Sequence, residues 1–547
     1  MKNDGITKNK SLKILVLFYV IIIYLNLKIN CDTLNKQNKI EKNNLDIYKS
    51  VIIDAGSTGT RIHIYNYKIE NNNEDIKIFI PSISHKASPG LVYMLNNYFS
   101  GDEINFYDYF KKIKDFIYEN VEKEERSNTV ILFRASGGFR LLSISKSEKY
   151  INFLKDYLYN NFNEFLLIDE LLIKVLSGKE EAILSFISIY SLLEKSIHSP
   201  IIFSNDNKNS GSEKHNVDLS NDINDNKEIN VINDDNNKYE NNNNDSIGVI
   251  EIGGASAQIV IKIPLSKMND DILNLFNYKH KDNKKNSIIE ENYKNKNIVK
   301  IKLFRKNIFL YCKSYLVLGR QNAMKTYLHY VVHKNKKNKK LNKFIPIPCF
   351  PKNFKFYISN LFKTSIEENI DEYDEKKILK KNEYIGIGTG DLNLCRKEIQ
   401  IILNYSEIDN LPFRLKKFIK LYAIENFHHF ATDILNISEN FNPLLINTNM
   451  YLKKAEELCP LTVEEIRKLV NPNANIEKAQ TSCFGLVFLY EFLRHIFKID
   501  NAISFYSTNY INNTMITWTI AVLLMEIPPY LDLIKKKKKI NYDNDEL

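Results

Sequence analysis

The sequence predicts an α/β protein built as two lobes of similar design that face one another across a cleft. Three observations predict it. The chain has 547 residues, too many for one compact domain. Short apolar strand-like runs alternate with amphipathic helical patterns such as residues 106–121 and 150–162. Finally, "VIIDAGSTGTRIHIY" from Val51 is restated by "GVIEIGGASAQIVI" from Gly248. Each copy is an apolar run, an acid (Asp54, Glu251), a glycine two residues on (Gly56, Gly253), a hydroxyl residue and a second apolar run.

The chain opens with Lys8, Lys10 and Lys13, followed by the apolar run Ile14 to Leu25. A basic start and a short apolar stretch fit a secretory signal within residues 1–30, because a spanning helix needs roughly 20 apolar residues. No small-x-small cleavage site is evident, so an uncleaved membrane anchor stays open. Both readings deliver the rest of the chain to the secretory lumen.

Each hairpin has a physical logic. Glycine permits the turn and lets backbone approach a ligand closely. Successive N–H groups in such a turn make an anion-binding nest. An acid at the strand end can hold a divalent cation, directly or through water, that offsets phosphate charge. Two such hairpins in register point to a phosphate compound and a cation between the lobes.

Long polar tracts interrupt the pattern. Residues 204–246 and 279–297 are expected to be disordered insertions, and 334–343 and 367–382 are nearly all polar. The net charge of +10 does not indicate nucleic acid as a partner. The lysines sit in these tracts and in the run Lys535 to Lys539, not interleaved with aromatics on periodic elements.

Six cysteines suit an oxidising compartment. Cys349 and Cys395 bracket a charged insertion, and Cys459 and Cys483 flank a short helical pattern. Each is a candidate disulfide contributing about 3 kcal/mol; Cys31 and Cys312 have no evident partner, and the connectivity stays open. The glycosylation triplets at Asn244, Asn404, Asn436 and Asn512 agree with a lumenal chain, though an Asn-rich sequence generates such triplets freely. The C-terminus, residues 531–547, is a basic tail ending in NDEL. It resembles the KDEL-type tetrapeptide read by a retrieval receptor, with the lysine run expected to keep it extended.

Five stretches in order carry a family resemblance: "DAGSTGTR" from Asp54, "ASGGFRLL" from Ala135, "LSGKEEA" from Leu176, "EIGGASAQ" from Glu251 and "SCFGLVFLYEFL" from Ser482. "KASPGL" from Lys86, "SYLVLGRQNA" from Ser314, "GTGD" from Gly388 and "WTIAVLL" from Trp518 add to them. The chain resembles the apyrase family of nucleoside phosphohydrolases, also called the CD39 or guanosine-diphosphatase family. The resemblance implies the actin-like (ribonuclease-H-like) two-lobed fold. Lobe I would take residues 48–175 and 500–530 with the first phosphate hairpin, and lobe II residues 176–499 with the second hairpin and the general base. Ser57, Thr58 and Gly59 read S-T-G, which resembles the lumenal ER and Golgi diphosphatases; surface members tend to carry S-S-H.

The resemblance also implies roles. Glu181 matches the base that activates water for direct attack on the terminal phosphorus, with Ser136, Ser256 and Gln258 positioning that water. Ser57, Thr58, Gly59, Gly253, Gly254, Ala255 and Ser256 match the phosphate cradle. Asp54, Glu251 and Trp518 match the residues that hold Ca²⁺ or Mg²⁺ through water. Arg61 and Arg140 are expected to brace the hairpins, and residues 422–429 align with an aromatic segment near the nucleobase, with His428 and His429 where the family prefers tyrosine. Adjacent on a helix, those histidines are not expected to share a metal. Three departures bear on the site: Glu251 stands for the usual Asp, Ala182 for a Gly beside the base, and Gly485 for a common Asp.

The expected activity is therefore metal-dependent hydrolysis of nucleoside diphosphates, UDP or GDP, in the secretory lumen, with the endoplasmic reticulum as the expected compartment. A broader apyrase cutting tri- and diphosphates at the membrane or outside the cell is one alternative. A weakly active actin-like nucleotide-binding scaffold is the other.

Overall fold

The computed structural model describes residues 47–70, 75–194, 199–203, 247–263, 289–290, 297–304, 306–337, 344–359, 384–404, 419–437 and 443–545. The N-terminal signal or anchor, both expected insertions (apart from residues 289–290 and 297), Cys31, Asn244 and the last two residues of NDEL lie outside them.

Two sheets repeat one design. The first runs Ile173–Val175, Val130–Ala135, Ile47–Ala55, Thr60–Ile69, Ile76–Ala87, Ile201–Phe203. Three successive antiparallel strands, Ile47–Ala55, Thr60–Ile69 and Ile76–Ala87, are flanked by Val130–Ala135 and Ile173–Val175, which run parallel to the first of them. The second sheet places the hairpin Ile247–Ile252 and Ser256–Lys262 against antiparallel Lys306–Leu316. Its parallel strands are Lys420–Glu425 and Ser504–Ser507. The sequence repeat is thus a repeat of topology, and the architecture is the expected actin-like one. All six side chains of Val130–Ala135 are buried, as a parallel strand covered on both faces requires.

Strand alternation divides the core. Val51 and Ile53 face the helices Glu103–Asn120 and Ile144–Asn161, where Phe106, Phe110, Leu154 and Leu158 pack. Ile52 points the other way, into a cluster it shares with Val249 and Val260 of the second sheet. The helices Gly178–Leu193 and Thr519–Glu526 pack together in this shared cluster. A third cluster, around Ile250, Phe484 and Phe488, fills the far side of the second sheet.

Two segments join the opposite sheet from the one expected. Ser504–Ser507 pairs with Lys420–Glu425 and Leu444–Asn447 in the second sheet, and Ile201–Phe203 edges the first. Both are four residues or shorter, too short to show a strand period in the sequence. The C-terminal tail also differs: Leu531–Asp545 is helical, not extended. Leu531 and Ile534 bury one face, Lys538 Nζ donates to Ile47 O at 2.7 Å, and its ammonium sits 4.3 Å over the Tyr48 ring.

Cys349–Cys395 and Cys459–Cys483 both form disulfides. Cys312 is buried and its Sγ donates to Lys179 O at 3.6 Å. Gly485 lies in the helix Ser482–His495 against the Phe430 ring, where a Cβ would come within 2.0 Å of Cζ. The missing carboxylate at that position is therefore replaced by a packed aromatic. Among the described residues no helix is long and apolar enough to cross a membrane.

Candidate active site

The two hairpins meet tip to tip. In the first, Asp54 pairs with Arg61 and Ala55 with Thr60, and Gly56 N donates to Gly59 O at 3.0 Å. In the second, Glu251 pairs with Gln258 and Ile252 with Ala257, and Gly253 N donates to Ser256 O at 2.9 Å. The turns are equal in length, so the two acids occupy equivalent places.

Each turn is backed by a glycine that opens a helix. Gly90, before Leu91–Tyr98, lies where a Cβ would be 2.3 Å from Ser57 O. Gly319, before Arg320–Lys337, lies where a Cβ would be 2.4 Å from backbone atoms of Ala255 and Gly254. Arg320 N donates to Gly253 O at 3.0 Å, and Gln321 N and Asn322 N to Gly254 O at 3.1 and 3.2 Å. The "KASPGL" and "SYLVLGRQNA" stretches thus buttress one hairpin each.

A cavity of about 350 Å³ lies between the tips. All of the expected site residues border it: Asp54, Ser57, Thr58, Gly59, Ser136, Glu181, Glu251, Gly253, Gly254, Ala255, Ser256, Gln258 and Trp518. His428 and His429 border it too, with ring centroids 6.3 Å apart. Trp518 is 8% exposed and belongs at once to the cavity wall and the shared core.

Glu181 sits in the first turn of Gly178–Leu193, a helix started by a capping box in which Ser177 and Glu180 bond each other's backbone N–H groups. Its Oε2 accepts from Arg140 Nη2 at 2.7 Å and Gln258 Nε2 at 3.1 Å. The same two donors reach Ser256 Oγ, each at 2.9 Å. Arg140 is anchored in turn by Leu176 O at 3.0 Å. Ser136 N bonds Ala55 O at 3.2 Å, which sets its side chain beside the first hairpin.

Five acids border this space: Asp54, Glu181, Glu251, Glu425 and Asp433, the last paired with Lys478. Burial pushes Asp54 up to about 7; Arg61 opposes the rise, while Glu181 and Glu425 add to it. Glu251 is raised well above its ordinary range, by burial first and then by Glu181 and Glu425, although Ser185 Oγ donates to its Oε2 at 3.0 Å. Asp54 Oδ1 is buried and receives no hydrogen bond. An orphaned carboxylate oxygen and two crowded, desolvated acids suit a divalent cation. Among the described residues no three His, Cys, Asp or Glu side chains are grouped to ligate a metal directly.

Sequence reasoning missed three contributors and part of the role of a fourth. Ser185 stands four positions after Glu181 on one helix, so helical spacing could have found it. Arg140 does more than brace a hairpin, since it holds Glu181 itself. Glu425 enters the cavity, and Asn426 Nδ2 donates to Ile252 O and Gly253 O at 2.7 and 3.2 Å. Those two depend on backbone geometry that no motif displays.

The model of the GDA1/CD39 (nucleoside phosphatase) family matches residues 39–541. The nucleoside-diphosphatase mig-23 of Caenorhabditis elegans is 22% identical over 504 residues, 87% of this chain and 76% of that protein. Human ectonucleoside triphosphate diphosphohydrolase 4 is 19% identical over 88% of this chain and 73% of its own. The guanosine-diphosphatase of Schizosaccharomyces pombe is 28% identical over 155 residues, 28% of this chain and 26% of its own. A nucleoside triphosphate hydrolase structure from Neospora caninum shares the fold, with a TM-score of 0.52 at 12% identity, covering 94% of this chain and 100% of that one.

Proposed function

This chain belongs to the GDA1/CD39 family of nucleoside phosphatases, and from that premise we propose that its cleft hydrolyses nucleoside diphosphates such as UDP and GDP to the monophosphate and phosphate, by direct attack of water. The observation that carries the reading is the placing of Glu181 between the hairpin tips, its Oε2 fixed by Arg140 and Gln258.

Glu181 Oε1, which accepts neither of those bonds, takes the proton of the attacking water. Gln258, Ser256 and Ser136 orient that water, the first two locked to each other at 2.9 Å. The hydroxyls of Ser57 and Thr58 and the N–H groups of both turns hold the phosphate oxygens in a fixed frame, where preorganised donors do most of the work in phosphoryl transfer. Asp54, Glu251 and Trp518 would hold Ca²⁺ or Mg²⁺ through water, and the ion would supply neutralisation of phosphate charge.

The S-T-G turn and the names of the mig-23 and guanosine-diphosphatase relatives support diphosphates as substrates. The apolar N-terminal run and NDEL support a lumenal protein retrieved to the endoplasmic reticulum by a KDEL-type receptor. Phosphate release by the full chain from UDP, GDP, ADP and ATP tests the reading, with EDTA and then with Mg²⁺ or Ca²⁺ restored. Cation-dependent release favouring UDP or GDP is expected. Release from ATP at a similar rate would move the protein to the broad apyrases, and full activity in EDTA would remove the cation.

A further inference from the structure

Glu425 ends the strand Lys420–Glu425 with φ 60° and ψ −119°. That conformation favours glycine and costs a residue with a side chain about 1–3 kcal/mol. It persists because both sides are tied down. Glu425 N donates to Asn509 Oδ1 at 2.8 Å. Asn426 clamps the second hairpin through Ile252 O and Gly253 O, and its own Oδ1 accepts from Arg320 Nε at 3.0 Å. The strained turn drives the Glu425 carboxylate into the cavity from the second sheet. There its Oε1 lies 3.7 Å from Nη1 of Arg61, which belongs to the first sheet, and its Oε2 lies 3.9 Å from His429 Nε2. Among the described residues Arg61 has one other acid in reach, Asp54 at 4.0 Å.

We propose that Glu425 is a positioning residue: it engages Arg61 across the cleft and so leaves the Asp54 carboxylate to a divalent cation. A guanidinium that turned fully onto Asp54 would compete with a cation for the same oxygens and repel it. Burial disfavours the charged form of Arg61, and Glu425, Asp54 and Glu251 together more than offset it. This inference rests on the cation-dependent hydrolase reading above.

The experiment compares wild type with Glu425→Gln and Glu425→Gly, the glycine variant being the one that relieves the backbone. Two quantities are read: the Mg²⁺ concentration giving half-maximal phosphate release from UDP, and the rise in Tm on adding Mg²⁺ without nucleotide. Both variants should need roughly tenfold more Mg²⁺, with kcat at saturating Mg²⁺ changing much less, and both should show a smaller Tm rise. Glu425→Gly should also raise Tm in EDTA. In an Arg61→Gln background, adding Glu425→Gln should leave the Mg²⁺ requirement where it was, because Glu425 acts through Arg61. An unchanged Mg²⁺ requirement and Tm rise in both variants would overturn the proposal, as would an undiminished effect in the Arg61→Gln background. If the wild type releases no phosphate, the hydrolase reading falls separately, while the Tm comparison still decides the role of Glu425.

Discussion

Gly319 is packed so tightly on Ala255 that a Cβ would lie 2.4 Å from its backbone nitrogen, and Gly90 meets Ser57 O in the same way at 2.3 Å. The phosphate turns therefore owe their positions to glycines outside them. A methyl group cannot be absorbed by backbone atoms without moving the turn. Gly319→Ala and Gly90→Ala should each lower kcat/KM by roughly tenfold or more and lower stability by about 1–3 kcal/mol. Kinetics on UDP and a thermal melt check both; wild-type kinetics in either variant would show that the turns hold themselves.

Glu181→Gln keeps the shape of the side chain and removes its basicity. It should leave Tm and KM within a few-fold of wild type and cut kcat by roughly 10² or more. Arg140→Gln should be milder in kcat, because Gln258 still reaches Glu181 Oε2 at 3.1 Å, but it also unties Ser256. Stopped assays of phosphate release separate the two. A Glu181→Gln enzyme with near-normal kcat would take the base elsewhere.

Gly485→Asp would restore the carboxylate the family commonly carries there. The Phe430 ring already fills that space, with Cζ 2.0 Å from where the new Cβ would stand. The substitution should therefore cost stability through overpacking, about 1–3 kcal/mol, without any gain in activity. A melt and a UDP assay would check it, and a more active variant would mean that Phe430 yields readily.

Much of this was legible beforehand, for identifiable reasons. Turns that bring backbone to a ligand need Gly and small hydroxyl residues in sequence, so both hairpins announced themselves, and the repeat of Asp54 and Glu251 foretold the repeated sheets. The pairs Cys349–Cys395 and Cys459–Cys483 were visible because their flanking segments are distinctive. Glu425 was not visible, since its importance comes from φ 60° and from an arginine in the other sheet. Nor was the helix Leu531–Asp545: Lys535 to Lys539 hide the fact that Leu531 and Ile534 share a buried face. Local pattern reports turn chemistry well and long-range pairing poorly.

His63 supplies a test by pH. It is fully buried on Thr60–Ile69, stacked on Tyr65 at 5.9 Å, with Nδ1 3.1 Å from Ser82 Oγ and Nε2 lacking any hydrogen bond. Burial, aided by the charge of Arg61, pushes its pKa down from 6.5 to about 3. Between those values the unfolded chain binds a proton that the folded one refuses. The stability His63 contributes is therefore intact above pH 6.5 and declines as pH falls towards 3, by about 2 kcal/mol at pH 5. Carboxylates also titrate in this range, so the measurement is a difference: urea unfolding of wild type and His63→Phe at pH 7 and pH 5. The variant cannot take up that proton, and the gap between the two proteins should shift in its favour by about 2 kcal/mol on going to pH 5. A gap that stays constant would mean that His63 carries its proton when folded, bonded in a way its present surroundings do not provide.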